Sequence, residues 1–165
     1  MTAAGDIPSG SPSTGPASSV SALSVVIPVC DEADSIPVVL RELLDKAGGA
    51  YDLDIVVVDD GSHDGSADVV AAFAADEPRI RLIRHTRRCG KSSALRTGVA
   101  AARCRWVGMI DGDGENDPDD LVAMVRRIDP ARIGAVGLVA GNRRRRTAGP
   151  WRLIASRIAN GIRRR

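Results

Sequence analysis

From Leu23 onward, short runs of β-branched residues alternate with longer segments in which apolar positions recur every three or four residues. The short runs LSVVIPV (23–29), DIVVVD (54–59), IRLIR (80–84), WVGMI (106–110) and GAVGLVA (134–140) read as strands. Most are apolar throughout rather than alternating, as expected of strands covered on both faces. Between them, SIPVVLRELLDKA (35–47), GSADVVAAFAAD (65–76), KSSALRTGVAAAR (91–103) and PDDLVAMVRRI (118–128) read as helices. Their boundaries carry the expected signals: Ser35 as N-cap with Pro37 near the first turn, and Gly48-Gly49 as a stop. Asp117 stands as a cap before Pro118 at N1, with two acids in a first turn where the helix dipole favours them. Strand and helix in turn predict βαβ units and an α/β fold with a mainly parallel sheet.

In an open sheet of this kind, ligands bind outside the carboxyl ends of the strands. Three predicted strand ends are acidic: PVCDE, VVDDGSHDGS and IDGDGEND. Converging carboxylates repel unless a cation or hydrogen-bond donors lie between them, so this edge is the expected site.

Composition supports the fold and adds one feature. The hydrophobic content is 44% and the charged content 27%, ordinary for a globular protein. Aromatic residues are few (Tyr51, Phe73, Trp106 and Trp151), which leaves the core to Val, Ile, Leu and Ala. Three cysteines, Cys30, Cys89 and Cys104, are odd in number and lack metal-ligand spacing, so a disulfide framework is not expected and a reducing cytoplasm is the simplest home. The net charge of +2 conceals a split: residues 130–165 hold ten Arg and no acid, so that segment is +10 and the remainder −8. The basic segment is expected to meet an anion. Residues 1–20, rich in Gly, Pro and Ser, read as a disordered leader without secretory features. No apolar run is long enough to span a bilayer.

Several motifs suggest chemistry, and most admit a plainer reading. In DGDGENDPDD, Asp111, Asp113 and Glu115 occupy positions 1, 3 and 5 of an EF-hand loop, but Asn116 and Val122 stand where that loop needs Gly and a bidentate Glu. A D-x-D after an apolar strand instead places two carboxylates within reach of one hard cation, Mg²⁺ or Mn²⁺, which adds diphosphate oxygens as ligands. VVVDDGSHDGS is compatible both with a tight turn and with Asp59 or Asp60 accepting the N–H of a nucleotide base. RRCGKSSAL carries the Gly-Lys-Ser end of a P-loop, yet His85 holds the place of its first glycine. Lys91 at a helix start remains a candidate phosphate ligand on the donor side. His63 and His85 lie apart and read as surface or hydrogen-bonded residues. No catalytic serine motif is present.

Taken in order, LSVVIPVCDEADSI, DIVVVDDGSHDGS, GKSSALRTG, DGDGENDP and GNRRRRTAGPWRLIASRIAN resemble glycosyltransferase family 2, of GT-A (Rossmann-like) fold, and more narrowly its polyprenyl-phosphate branch. The resemblance implies roles for particular residues. Pro28, Asp31 and Glu32 would lie against the nucleotide and Asp60 against the base. Asp111 and Asp113 would bind the metal, with Glu115 where relatives often carry Gln as a further ligand. Arg143, Arg152 and Ser156 would hold phosphates of lipid acceptor and donor. Cys30 and Asp31 replace a frequent Tyr-Asn. The implied activity is inverting, metal-dependent transfer of a hexose from a nucleotide diphosphate sugar (GDP-mannose or a UDP-hexose) to a polyprenyl phosphate. Asp111, Asp113, Arg143 and Arg152 would be catalytic, at the cytoplasmic face of a membrane. The expected organisation is a leader (1–20), a nucleotide-sugar domain (21–141) and an incomplete basic acceptor segment (142–165), because relatives of this kind extend further. A nucleotide-binding remnant without turnover is the alternative. A nucleic-acid-binding role for the Arg-rich segment is disfavoured by the lack of interleaved aromatics and by the acidic body.

Overall fold

The computed structural model describes residues 20–128. Within them, four strands and four helices alternate: β1 (Ala22–Val29), α1 (Ile36–Ala47), β2 (Asp52–Asp59), α2 (Ser66–Asp76), β3 (Ile80–Arg84), α3 (Lys91–Ala101), β4 (Val107–Met109) and α4 (Pro118–Arg126). The strands form one parallel sheet in the order β3-β2-β1-β4. The order reverses between β1 and β4, which opens a crevice at the carboxyl ends of those two strands. The predicted strand 134–140 lies outside the described residues.

The period of two along each strand divides the core into two faces. Leu23, Val25, Ile27 and Val29 of β1, with Leu53, Ile55 and Val57 of β2, are buried with α1, α2 and α4 through Leu40, Leu43, Val70, Leu121 and Val125. The alternate residues Val26, Val56 and Val58 face α3 and pack with Ala94. Burying each such aliphatic side chain contributes about 1.5–3 kcal/mol, so β1 and β2, apolar on both faces, form the centre of the fold. α3 approaches closely because it is built of small residues: a Cβ on Gly98 would overlap Val26 Cγ1 and sit 3.2 Å from Val58 Cγ2.

The α3 face also carries a polar network that the apolar strand pattern did not announce. Buried Asp54 accepts from the Ser24 hydroxyl at 2.7 Å, from Arg81 Nε at 2.8 Å and from Arg103 N at 3.0 Å. Arg81 also donates to Ala101 O, and Cys104 N donates to Ser24 Oγ, so the network fixes the end of α3 and the turn into β4. Burial alone would push the Asp54 carboxyl up, but the Arg103 N–H, the Ser24 hydroxyl and Arg81 outweigh it and hold it below its ordinary range.

The helix ends partly follow the sequence signals. Asp117 caps α4 by accepting from Asp119 N at 2.9 Å. Ser35 occupies the N-cap of α1 but its side chain caps nothing there. Its hydroxyl donates instead to Gly112 O at 2.7 Å, tying α1 to the loop after β4.

Candidate active site at the carboxyl edge of the sheet

Each strand delivers polar side chains at its carboxyl end, because its apolar run stops where the sheet stops being covered. The loop after β1 turns at Asp31, a non-glycine residue with φ of 57°. The loop after β2 holds that turn in place. Ser62 Oγ accepts from Asp31 N, Asp31 Oδ1 accepts from His63 N, Ser66 Oγ accepts from Glu32 N, and Asp64 Oδ2 accepts from Ala33 N, all at 2.8–3.0 Å. The DGSHDGS segment is therefore a scaffold for the β1 loop as well as a turn.

A cavity of about 270 Å³ opens on this edge, and it brings together Pro28, Glu32, Asp60, Lys91, Asp111 and Asp113. These come from the ends of β1, β2 and β4 and from the first turn of α3. Lys91 Nζ pairs with Asp111 Oδ1 at 2.6 Å. Asp113 Oδ1 accepts from Glu115 N at 2.9 Å, while the Glu115 side chain lies on the exposed part of that loop. Glu32 Oε2 is buried without a hydrogen-bond partner. Burial first, then the charges of Asp113 and Asp111, raise the Glu32 carboxyl to about 7, against the opposing Cys30 backbone and Lys91. A Cβ at Gly112 would overlap that same oxygen, so glycine is needed to seat Glu32 there. Glu32, Asp111 and Asp113 supply oxygen donors of the kind a hard divalent cation such as Mg²⁺ or Mn²⁺ takes, but their carboxylate oxygens are not gathered within 4.8 Å of one another.

The two adjacent aspartates that the sequence left interchangeable part company. Asp59 ends β2, its Oδ1 accepting from Ser62 N at 3.2 Å and its Oδ2 3.7 Å from Arg84 Nε, and it faces a separate hollow outside the cavity. Asp60 lines the cavity and is 3% exposed. Its Oδ1 accepts from His85 Nδ1 at 2.7 Å and from Cys89 N at 2.9 Å, and its Oδ2 accepts from Gly90 N at 2.7 Å. Burial would raise its carboxyl, but these donors, led by His85, lower it and keep it ionised. His85 Nε2 reaches Thr97 Oγ1 at 2.9 Å, so Asp60 and His85 together pin the loop before α3 and aim Lys91 at the carboxylates. Among the described residues, the group whose ligand atoms do lie within 4.8 Å of one another is Asp60, His85 and Cys89. The three protein N–H groups already directed at Asp60 suit a structural carboxylate better than an ion ligand.

Sequence reasoning missed Arg88. Its Nε and Nη2 lie 2.9 and 2.6 Å from Cys30 Sγ, and Nη2 lies 3.1 Å from Asp31 Oδ2, beside the cavity. The signal was available in the smallness of Cys30, which leaves space for a long side chain. Arg143, Arg152 and Ser156 lie outside the described residues.

A parallel sheet with a polar crevice at its switch point, lined by carboxylates with Lys91 and Arg88, defines an α/β protein of GT-A fold. The glycosyl transferase family 2 profile matches residues 24–164, and the chain belongs to that family. It is 36% identical over 109 residues to the succinoglycan biosynthesis protein ExoO of Rhizobium meliloti, covering 66% of this chain and 30% of that one. It is 35% identical over 128 residues to an undecaprenyl-phosphate 4-deoxy-4-formamido-L-arabinose transferase of Pseudomonas fluorescens, covering 73% and 36%. Among solved structures, the mannosyltransferase PcManGT of Pyrobaculum calidifontis, in complex with GDP-Man and Mn²⁺, superposes with a TM-score of 0.60 at 28% identity. That superposition covers 72% of this chain and 36% of the other. The chain thus spans about a third of the length of these relatives.

Proposed function

We propose that the chain carries the donor site of an inverting glycosyltransferase that moves a hexose from a nucleotide diphosphate sugar to a polyprenyl phosphate. The observation that carries this reading is the cavity holding Glu32, Asp60, Lys91, Asp111 and Asp113 at one sheet edge. The polyprenyl acceptor rests on the family, on the undecaprenyl-phosphate acceptor of the Pseudomonas relative, and on the Arg-rich segment that includes Arg143, Arg152 and Ser156. The same acceptor suggests action at the cytoplasmic face of a membrane. No helix among the described residues is long and apolar enough to cross one.

A lipid phosphate is already anionic near neutral pH, so it needs no strong general base. One of its oxygens bonds to the anomeric carbon as the bond from that carbon to the diphosphate breaks, and the bonding pair leaves with the diphosphate. Lys91 is placed to take charge on the leaving group, Asp60 to meet the base, and Arg143 with Arg152 to orient the attacking phosphate. Asp111 and Asp113, with Glu115 or Glu32, would hold Mg²⁺ or Mn²⁺, which when bound supplies Lewis-acid neutralisation of the diphosphate.

The test is transfer from labelled nucleotide sugars to a short polyprenyl phosphate, with and without chelator, alongside Asp113→Asn. Asp113 is exposed on its loop, so the substitution should abolish transfer while leaving the circular dichroism melt unchanged. Full activity in that variant would remove Asp113 from the site. Nucleotide binding without any transfer would assign the chain to donor binding alone.

A further inference from the structure

Asp60 follows β2, His85 follows β3 and Cys89 stands just before α3, and their oxygen, nitrogen and sulfur atoms come within 4.8 Å of one another. His85 and Cys89 share one loop while the carboxylate lies 25 residues before His85, so only the fold assembles the group. Its donor types divide the possible ions. Mg²⁺ and Mn²⁺ prefer oxygen ligands, and the group offers them a single carboxylate that three N–H groups already hold, so a hard ion gains nothing here. A thiolate with an imidazole and a carboxylate is instead a donor set for Zn²⁺, which takes S, N and O ligands in a tetrahedron.

We propose that Asp60, His85 and Cys89 form a Zn²⁺ site on the wall of the cavity, separate from the carboxylates of the DGDGE loop. Ligand atoms around a tetrahedral ion with bonds of about 2.0–2.3 Å stand roughly 3.3–3.8 Å apart. Asp60 Oδ1 and His85 Nδ1, 2.7 Å apart, therefore open by roughly half an ångström when the ion replaces the proton between them. Cys89 closes from the other side, because its side chain is exposed and its thiol donates only a long bond to Arg87 O at 3.3 Å. The proton lost from Nδ1 is made up on Nε2, where Thr97 Oγ1 stands at 2.9 Å to accept it. A ligating histidine is oriented by such a partner on its second nitrogen. Cys89 gives its proton to solvent, so one carboxylate, one thiolate and a neutral imidazole balance the charge of the ion. Gly90 N keeps its bond to Oδ2 at 2.7 Å, and a fourth position is left for water. Asp60 lines the cavity, so on the donor-site reading above, which this consequence rests on, a bound Zn²⁺ withdraws Asp60 from the nucleotide and closes the site.

Titration of the reduced, folded chain with Zn²⁺ and with Co²⁺, in excess Mg²⁺ to mask oxygen-only sites, tests the proposal. Co²⁺ should give a thiolate-to-metal charge-transfer band together with the strong visible absorption of a four-coordinate ion. Cys89→Ser changes an exposed side chain and leaves Cys30 and Cys104 as alternative thiols. With an unchanged circular dichroism melt, it should lose the band and bind Zn²⁺ roughly ten-fold or more weakly. Thr97→Val should keep the band and weaken Zn²⁺ binding roughly ten-fold. No band in the wild-type chain, or a band that persists in Cys89→Ser, would overturn the site. Added Zn²⁺ should also weaken the binding of UDP or GDP with Mg²⁺ to the wild-type chain and not to Cys89→Ser, a difference that chelation by the nucleotide itself does not produce. An equal effect on both chains would overturn the closure of the cavity and leave the metal site standing. Failure of every nucleoside diphosphate to bind the zinc-free chain would sink the donor-site reading, while the cobalt band decides the metal site independently.

Discussion

Lys91 shows how one side chain serves two neighbours at the edge of the sheet. Its ammonium pairs with Asp111 at 2.6 Å, so it partly offsets the charge of the carboxylate cluster. A diphosphate arriving with Mg²⁺ or Mn²⁺ offers Lys91 a second anion and gives Asp111 a second cation. Lys91→Met should therefore weaken UDP or GDP binding in the presence of metal by about ten-fold, the weight of one charge-assisted contact. The same variant should bind Mn²⁺ alone no more weakly than wild type, because the competing ammonium is gone. Titration with metal first and nucleotide second separates the two effects, and weaker binding of metal alone would show that Lys91 supports the carboxylates.

Among the elements, α3 is held at three places along its length. Its N-terminus is held by Asp60 through Cys89 N and Gly90 N, its C-terminal end by Arg81 bonding Ala101 O, and its middle lies on β1 at Gly98. A methyl at Gly98 must displace Val26, a fully buried side chain of the central strand. Gly98→Ala should cost about 1–3 kcal/mol by overpacking, despite the better helix propensity of alanine. Urea denaturation with an unchanged slope would measure it, and a neutral or stabilising result would mean that α3 can lift from the sheet. The KSSALRTG segment was legible as a helix from its sequence. That its glycine marks the contact with β1 was not, because periodicity gives the face of a helix but not the distance to its neighbour.

At the scale of the molecule, acid is the sensitive condition. Glu77 is lowered to about 2 by Arg79, which donates from its side chain and its backbone. The carboxyls of Asp54 and Asp60 are also held below their ordinary range. A depressed folded-state pKa contributes stability that is present above the unfolded value and lost as pH falls through the folded one. Thermal stability should therefore decline as pH drops from about 4.5 toward 2, with the β3 and α3 attachments loosening in the same range. Melts followed by circular dichroism across that range check it. A flat profile would mean that these carboxyls are equally favoured in the unfolded chain.

The order of apolar and amphipathic runs determined the parallel α/β fold, because burial of a two-faced strand demands an apolar residue at every position and a helix demands one every three or four. The acidic strand ends pointed to the edge where the cavity lies, and DGDGE put Asp111 and Asp113 on its lining. Only the tertiary structure decided between Asp59 and Asp60. Adjacent residues at a strand end point to opposite sides, and which side is the cavity depends on where α3 packs. Only the fold showed that Glu32 would be left with a buried, unpartnered oxygen, since its distance from Asp113 in sequence carries no record of their proximity. His85 and Arg88 emerged in the same way. Their chemistry comes from Asp60, Thr97 and Cys30, partners contributed by β1, β2 and α3 and brought within hydrogen-bond range only when the sheet closes the intervening loops.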